Sequence, residues 1–196
     1  MRALLLRRPR ALELGLAAWL AIMVLAGAYL LAGHTVALPL GDGGSRLQRR
    51  LGSPAGRTLA LHVLLANCPC SRRVLDHLIA RGPSRSAEER VLLVGDEADA
   101  LAPVLRARGY AVEELRATEL QARYGIESAP VLVVRAATGG GYYVGGYTRR
   151  KQAAQIHDTE ILERIARGES LDALPIFGCA VSARLRAALD PLGLKN

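Results

Sequence analysis

The sequence predicts an α/β domain, a mixed sheet flanked by helices, preceded by one transmembrane helix. Three observations carry that prediction. Leu14 to Ala32 is apolar throughout and contains no charge. From Thr58 to Arg167, apolar runs of strand length alternate with amphipathic helical stretches. The alternation ends in two strands separated by a glycine cluster, a hairpin signal.

At about 1.5 Å per residue, Leu14–Ala32 just spans a hydrocarbon layer of about 30 Å. A soluble core helix of this length would carry a polar stripe, and this one has none. Trp19 and Tyr29 lie towards its ends, where aromatic belts sit. Arg2, Arg7, Arg8 and Arg10 precede it, and only His34 follows before Arg46. That asymmetry predicts residues 1–13 as a basic cytoplasmic N-terminus, 14–32 as an uncleaved signal-anchor, and everything after it outside the cytoplasm. A cleaved signal peptide is the competing reading, but the stretch is long for an h-region and no clean small-x-small site follows it. Both readings put the C-terminal part where disulfides persist.

Residues 33–56 are rich in Gly and Pro around Pro39-Leu40-Gly41-Asp42-Gly43-Gly44-Ser45 and read as a tether, with a short element at Arg46–Leu51. Thr58–Ala66 and Arg90–Val94 read as buried strands. Ser71–Ala80 is an amphipathic helix stopped by Gly82-Pro83. Ala98–Arg108 reads as a helix starting near Asp99, which leaves Pro103 close to its first turn. A short strand at Ala111–Leu115, a short helix at Thr118–Tyr124, and strands at Val131–Arg135 and Tyr142–Tyr147 follow. Asp158–Arg167 is a helix with Asp158 as N-cap. The domain so defined spans 57–168, and 169–196 form a C-terminal extension carrying Cys179 and a helix over Ala183–Leu189.

Composition narrows the function. With 51% hydrophobic and 22% charged residues the chain is too apolar to be disordered. Three cysteines are too few for a disulfide-stapled mini-protein. The net charge of +8 fits a nucleic-acid binder in sign only. The arginines are scattered and lack interleaved aromatics, so nucleic acid is not expected as a partner. The basic cluster Thr148-Arg149-Arg150-Lys151-Gln152 reads as a solvated loop or as a docking patch for an acidic partner or lipid headgroups.

Cys68-Pro69-Cys70 falls where a buried strand ends and an amphipathic helix begins. A helix N-terminus offers unpaired N–H groups and the positive end of a dipole, which favours a thiolate. Pro69 suits the first helical position. Cys68 is expected to be the exposed nucleophile at the cap, and Cys70 the sheltered resolving thiol in the first turn.

With Asn67-Cys68-Pro69-Cys70-Ser71 after the strand Leu59–Ala66, Ile126-Glu127-Ser128-Ala129-Pro130-Val131 before a later strand, and Gly145-Gly146 after Tyr142-Tyr143-Val144, the sequence resembles the thioredoxin-like superfamily. Specifically it resembles the membrane-anchored extracytoplasmic thiol–disulfide oxidoreductases, over Thr58 to Arg167. The single residue between the cysteines departs from the usual two and resembles RedB-type proteins. The resemblance implies a thioredoxin-like fold and an enzyme that exchanges thiols and disulfides. It implies a cis Pro130 facing Cys68 and Cys70, with Ala129 and Pro69 contributing to substrate binding. It also implies extracytoplasmic protein thiols or disulfides as substrates and a membrane electron donor or acceptor. The place it implies is a bacterial inner membrane, crossed once, with the domain in the periplasm.

Cys179, in Phe177-Gly178-Cys179, keeps two readings: a thiol or metal ligand that swings back to Cys68 or Cys70, or a buried cysteine packing the extension onto the domain. His62 reads as packed within its strand, and His77 as solvent-facing. No Gly-rich phosphate loop is present, so no organic cofactor is implied. Cys68, Cys70, Cys179 and His157 are soft ligands, which makes a copper(I) chaperone the alternative function.

Overall fold

The computed structural model describes residues 8–42, 46–47, 50–51, 56–137, 140–151 and 153–191. Arg2 and Arg7 of the positive flank, the centre of the tether, Gly139 of the hairpin tip, Gln152 of the basic cluster and the last residues 192–196 lie outside them.

Helix α1 covers Arg8–Thr35. Within it Ala11–Tyr29 has a mean hydropathy of 2.0 and is unburied. This is one N-terminal helix whose length and apolarity are compatible with a single-pass membrane anchor.

Ala37–Pro191 form a separate compact unit. Its elements are β1 (Thr58–Leu65), α2 (Pro69–Arg81), β2 (Ala87–Val94), α3 (Ala98–Ala107), β3 (Ala111–Leu115), α4 (Ala117–Tyr124), β4 (Ser128–Ala129), β5 (Val131–Arg135), β6 (Tyr142–Gly145), α5 (Asp158–Ala166), β7 (Cys179–Ala180) and α6 (Ala183–Leu189). The main sheet has the order β3-β2-β1-β5-β6. β1–β2 and β2–β3 are parallel, and β1–β5 and β5–β6 antiparallel. This is the mixed sheet flanked by helices that the sequence predicts.

Successive side chains of a strand point to opposite faces, so β1 feeds two cores. Ala60 and Leu64 pack with Leu75 and Leu78 of α2, Leu105 of α3 and Ile161 and Ile165 of α5. Leu61 and Val63 pack with Leu120 of α4 and with Ile126, Ile176 and Val181. Covered on both faces, β1 is apolar along nearly its whole length, as a central strand must be.

Several elements differ from the sequence expectation. β2 starts at Ala87 rather than Arg90, because Glu89 is buried by pairing with Arg81 and His62. The N-cap of α5 is His157, not Asp158, whose carboxylate is engaged by Arg81 and His77. The last strand of the hairpin stops at Gly145, where the C-terminal segment crosses it. Leu38 and Leu47, in the segment read as a tether, are buried in the α4-side core. The Leu38 N–H donates to the Ile176 carbonyl at 2.8 Å, and the Glu127 N–H to that of Leu40 at 3.1 Å. β4 and β7 pair antiparallel, and the two residues of each strand are too few for a periodicity to reveal.

Candidate functional site

The end of β1 and the first turn of α2 are tied together by short hydrogen bonds. The Leu65 N–H donates to Ser71 Oγ at 3.0 Å and the Cys68 N–H to the Leu65 carbonyl at 3.1 Å. Cys68 is the N-cap, in extended backbone, and its carbonyl accepts from the Arg72 N–H at 2.9 Å. Pro69 takes the first helical position, where a missing N–H leaves nothing unpaired.

Cys68 is disulfide-bonded to Cys179, 111 residues away, with the two Cα atoms 6.2 Å apart. Cys70 is a free, half-buried thiol. The expected exposure of the two motif cysteines is therefore reversed: Cys68 is only 1% exposed. The reason is the C-terminal segment, which lies over the motif and brings Cys179 to it. Of the two readings of Cys179, the structure shows the one that returns it to the motif.

The Ala129–Pro130 peptide bond is cis. Pro130 lines a pocket of ≈ 180 Å³ together with Pro69, Cys70, Val74, Tyr147 and Phe177. Pro130 and the free thiol thus border one small, mostly apolar cavity. Ala129 lies at the β4 edge, opposite Cys179 in the β4–β7 ladder.

The path of the C-terminal segment explains the glycines that it meets. At Gly146 a Cβ would stand 2.0 Å from the Pro175 carbonyl oxygen, and the Gly146 N–H donates to that of Leu174 at 2.8 Å. At Gly178 a Cβ would stand 1.9 Å from the Ala129 carbonyl oxygen and 2.6 Å from Pro130 Cδ. Beyond Cys179, the Val181 N–H donates to the Glu127 carbonyl at 2.7 Å. Ser182 caps α6 by accepting from the Leu185 N–H at 3.1 Å. Arg184 Nε donates to the Glu127 carboxylate at 3.1 Å, and its guanidinium holds that carboxyl below its ordinary pKa.

A buried polar chain runs behind the pocket. His62 Nε2 meets the Glu89 carboxylate at 2.8 Å and His62 Nδ1 the Tyr147 hydroxyl at 2.9 Å. Arg81 donates to Glu89 at 2.6 Å and to Asp158 at 2.8 Å, and His77 Nε2 closes on Asp158 at 2.9 Å. Burial raises the Glu89 pKa, but hydrogen bonds from His62 and Arg81 outweigh it and bring the carboxyl down to about 2. Burial likewise opposes ionisation of Asp158, and Arg81 outweighs it, holding the carboxyl low. Burial holds the Tyr147 hydroxyl protonated, well above its ordinary pKa.

His62 is thus packed, as expected, but as a member of a hydrogen-bonded chain. His77 is partly exposed and paired. His157 donates its backbone to the Tyr147 carbonyl at 2.9 Å, and its Nδ1 lies 2.8 Å from Glu160. It lines a pocket that contains no cysteine, apart from the one that holds Cys70. Among the described residues no group of three or more His, Cys, Asp or Glu side chains forms a metal cluster. Arg149 and Arg150 of the basic cluster are exposed. Sequence reasoning missed Glu89, Arg81, Asp158, Glu127 and Tyr147, whose partners lie far away in the chain. Gly146, and Gly178 immediately before Cys179, were local signals of a close backbone approach.

No protein-family model matches this chain, and no curated protein matches it. Several solved structures are similar to it in fold. A hypothetical protein from Sinorhizobium meliloti shares 15% identity at a TM-score of 0.49, over 76% of this chain and 93% of that one. A secreted Mycobacterium tuberculosis disulfide oxidoreductase shares 16% identity at a TM-score of 0.41, over 57% of this chain and 82% of that one. A thiol:disulfide interchange protein of the thioredoxin family from Chlorobium tepidum shares 20% identity at a TM-score of 0.37, over 57% and 81%.

Proposed function

We propose that this chain is a membrane-anchored thiol–disulfide oxidoreductase acting on extracytoplasmic protein thiols, of the RedB-like Cys-Pro-Cys kind. The observation that carries the reading is the Cys68–Cys179 disulfide with the free thiol of Cys70 two residues along, beside Pro130. A permanent structural bridge would have no use for a third thiol at the same helix start.

The exchange is balanced within the chain. Deprotonated Cys70 attacks Cys68 Sγ, the bond to Cys179 breaks, and Cys179 leaves as a thiolate that takes up the proton Cys70 gave away. The new Cys68–Cys70 disulfide closes a small, strained ring and is readily attacked in turn. A substrate thiolate displaces Cys70 from Cys68, and a second substrate thiol displaces Cys68, so two electrons pass from the substrate to the protein. A substrate disulfide runs the same steps backwards. A membrane electron donor or acceptor resets the cysteines. Arg2, Arg7, Arg8 and Arg10 precede the apolar stretch Leu14–Ala32, a charge bias that supports a cytoplasmic N-terminus with the domain in the periplasm of an inner membrane.

Replacing Cys68 with Ser in the full chain in detergent micelles should abolish oxidation of a dithiol peptide, and the Cys70→Ser, Cys179→Ser double variant, offered a peptide disulfide, should accumulate the mixed disulfide with Cys68. Parental turnover in both variants would refute the reading. Copper(I) delivery is the second reading, and it gains from the same convergence: on reduction, Cys68, Cys70 and Cys179 become three soft thiolate ligands at one helix start. His157, in its separate pocket, is not brought to them. Stoichiometric copper(I) uptake by the reduced chain, with no dithiol oxidation, would favour that reading.

A further inference from the structure

The C-terminal segment does more than deliver a sulfur. It runs antiparallel along β4, with Cys179 opposite Ala129 and Ala180 opposite Ser128. An extended peptide added to a sheet edge makes this arrangement, with backbone pairing for affinity and alternate side chains for specificity. Here the pairing also fixes the register that places one peptide sulfur on Cys68. The residue before that sulfur has no room for a side chain. A Cβ on Gly178 would stand 1.9 Å from the Ala129 carbonyl oxygen and 2.6 Å from both the Ala129 carbonyl carbon and Pro130 Cδ. Two of these obstacles are backbone and the third is a proline ring, so none can rotate aside. Phe177, one residue further back, lines the Cys70 pocket.

We infer that residues 177–181 are an internal stand-in for the substrate, and that the β4 edge takes an extended thiol segment whose cysteine directly follows a glycine. This rests on the exchange reading and names its substrate class. The tail and the substrate are alternative occupants of one edge and alternative partners of one sulfur. The Cys68–Cys179 bond must open before a substrate can dock.

The test uses two peptides, Phe-Gly-Cys-Ala-Val and Phe-Ala-Cys-Ala-Val, each as a mixed disulfide with thionitrobenzoate. In the full-length Cys70→Ser, Cys179→Ser double variant, the Cys68 thiolate attacks the peptide sulfur. The peptide–thionitrobenzoate bond breaks, the peptide–Cys68 bond forms, and the coloured thionitrobenzoate anion leaves. The glycine peptide should react about tenfold faster or more, the scale on which a tight site rejects one extra carbon. The oxidised Cys70→Ser variant, which keeps the Cys68–Cys179 bond and has no free thiol, should react with neither. Equal rates for the two peptides, or reaction of neither while Ellman's reagent reacts with Cys68, would overturn the inference and leave the exchange reading standing. No reaction of Cys68 even with Ellman's reagent would overturn the exchange reading itself. A second measurement needs no cysteine variant. Gly178→Ala in the otherwise parental chain should leave Cys179 alkylatable after air oxidation, with Cys68 free or joined to Cys70, and a parental amount of the Cys68–Cys179 disulfide would contradict the inference.

Discussion

Glu89 is the shared acceptor of His62 and Arg81: His62 Nε2 lies 2.8 Å from its carboxylate and Arg81 Nη2 lies 2.6 Å from it. The carboxylate, on β2, is fully buried, so its charge is tolerable only while both partners stay in place. Because the same His62 touches the hydroxyl of Tyr147, which lines the Cys70 pocket, the packing of the pocket wall depends on this pair.

Breaking the pair should therefore be costly. Glu89→Ala removes the acceptor and leaves the Arg81 charge and the His62 ring short of a partner. The loss expected is about 3–5 kcal/mol of folding stability. Urea unfolding of the full chain in micelles, followed by the circular dichroism of the domain, measures it.

Acid should act through the same carboxyl. Glu89 titrates near 2 in the folded chain against an ordinary 4.5. A depressed folded pKa means that the folded state holds fewer protons, so its stabilisation is complete above the unfolded value. It is lost as pH falls from about 4.5 through about 2. Asp158, also held low, adds a loss of the same sign. The unfolding midpoint should fall steeply across that window in the parent and less steeply in Glu89→Gln.

The C-terminal segment should be sensitive to a single methyl group. In Gly146→Ala the new Cβ would meet the Pro175 carbonyl oxygen at 2.0 Å, so residues 174–176 must move. Overpacking of this kind costs about 1–3 kcal/mol. The expected result is a lower unfolding midpoint and faster reduction of the Cys68–Cys179 disulfide by dithiothreitol, read by alkylation and mass spectrometry.

The anchor and its direction should be visible in cells. A reporter enzyme that works only outside the cytoplasm, fused after Asn196, should be active, and the fusion should stay with the membrane fraction. Activity of a cytoplasmic reporter at the same position would remove the oxidising compartment on which the proposed function depends.

Much of the fold was legible because its signals are local. The apolar run of Thr58–Leu65 and the amphipathic face of Pro69–Arg81 report burial directly. Cys68-Pro69-Cys70 carries its own backbone chemistry, which places it at a strand end and a helix start, whereas the cis Pro130 is an implication of the resemblance. What stayed hidden depends on distant partners. β2 reads from Arg90 in the sequence because the buried partners that bring Glu89 into it lie 8 and 27 residues away. Asp158 looked like a cap because its pairing with Arg81 bridges 77 residues. The exposure of Cys68 was misjudged because the segment that covers it comes from the far end of the chain, and no pattern around Cys68 encodes it.

In the proposed exchange Cys68 is shared between Cys179 and Cys70. Peptide mapping of the full chain under non-reducing conditions, after graded exposure to dithiothreitol and quenching by alkylation, tests it most directly. The account predicts two linked peptides that interconvert without denaturant, Cys68 joined to Cys179 and Cys68 joined to Cys70. A Cys68–Cys179 link that stays intact until the protein is denatured, with no Cys68–Cys70 link at any exposure, would contradict it and leave the disulfide a structural bridge.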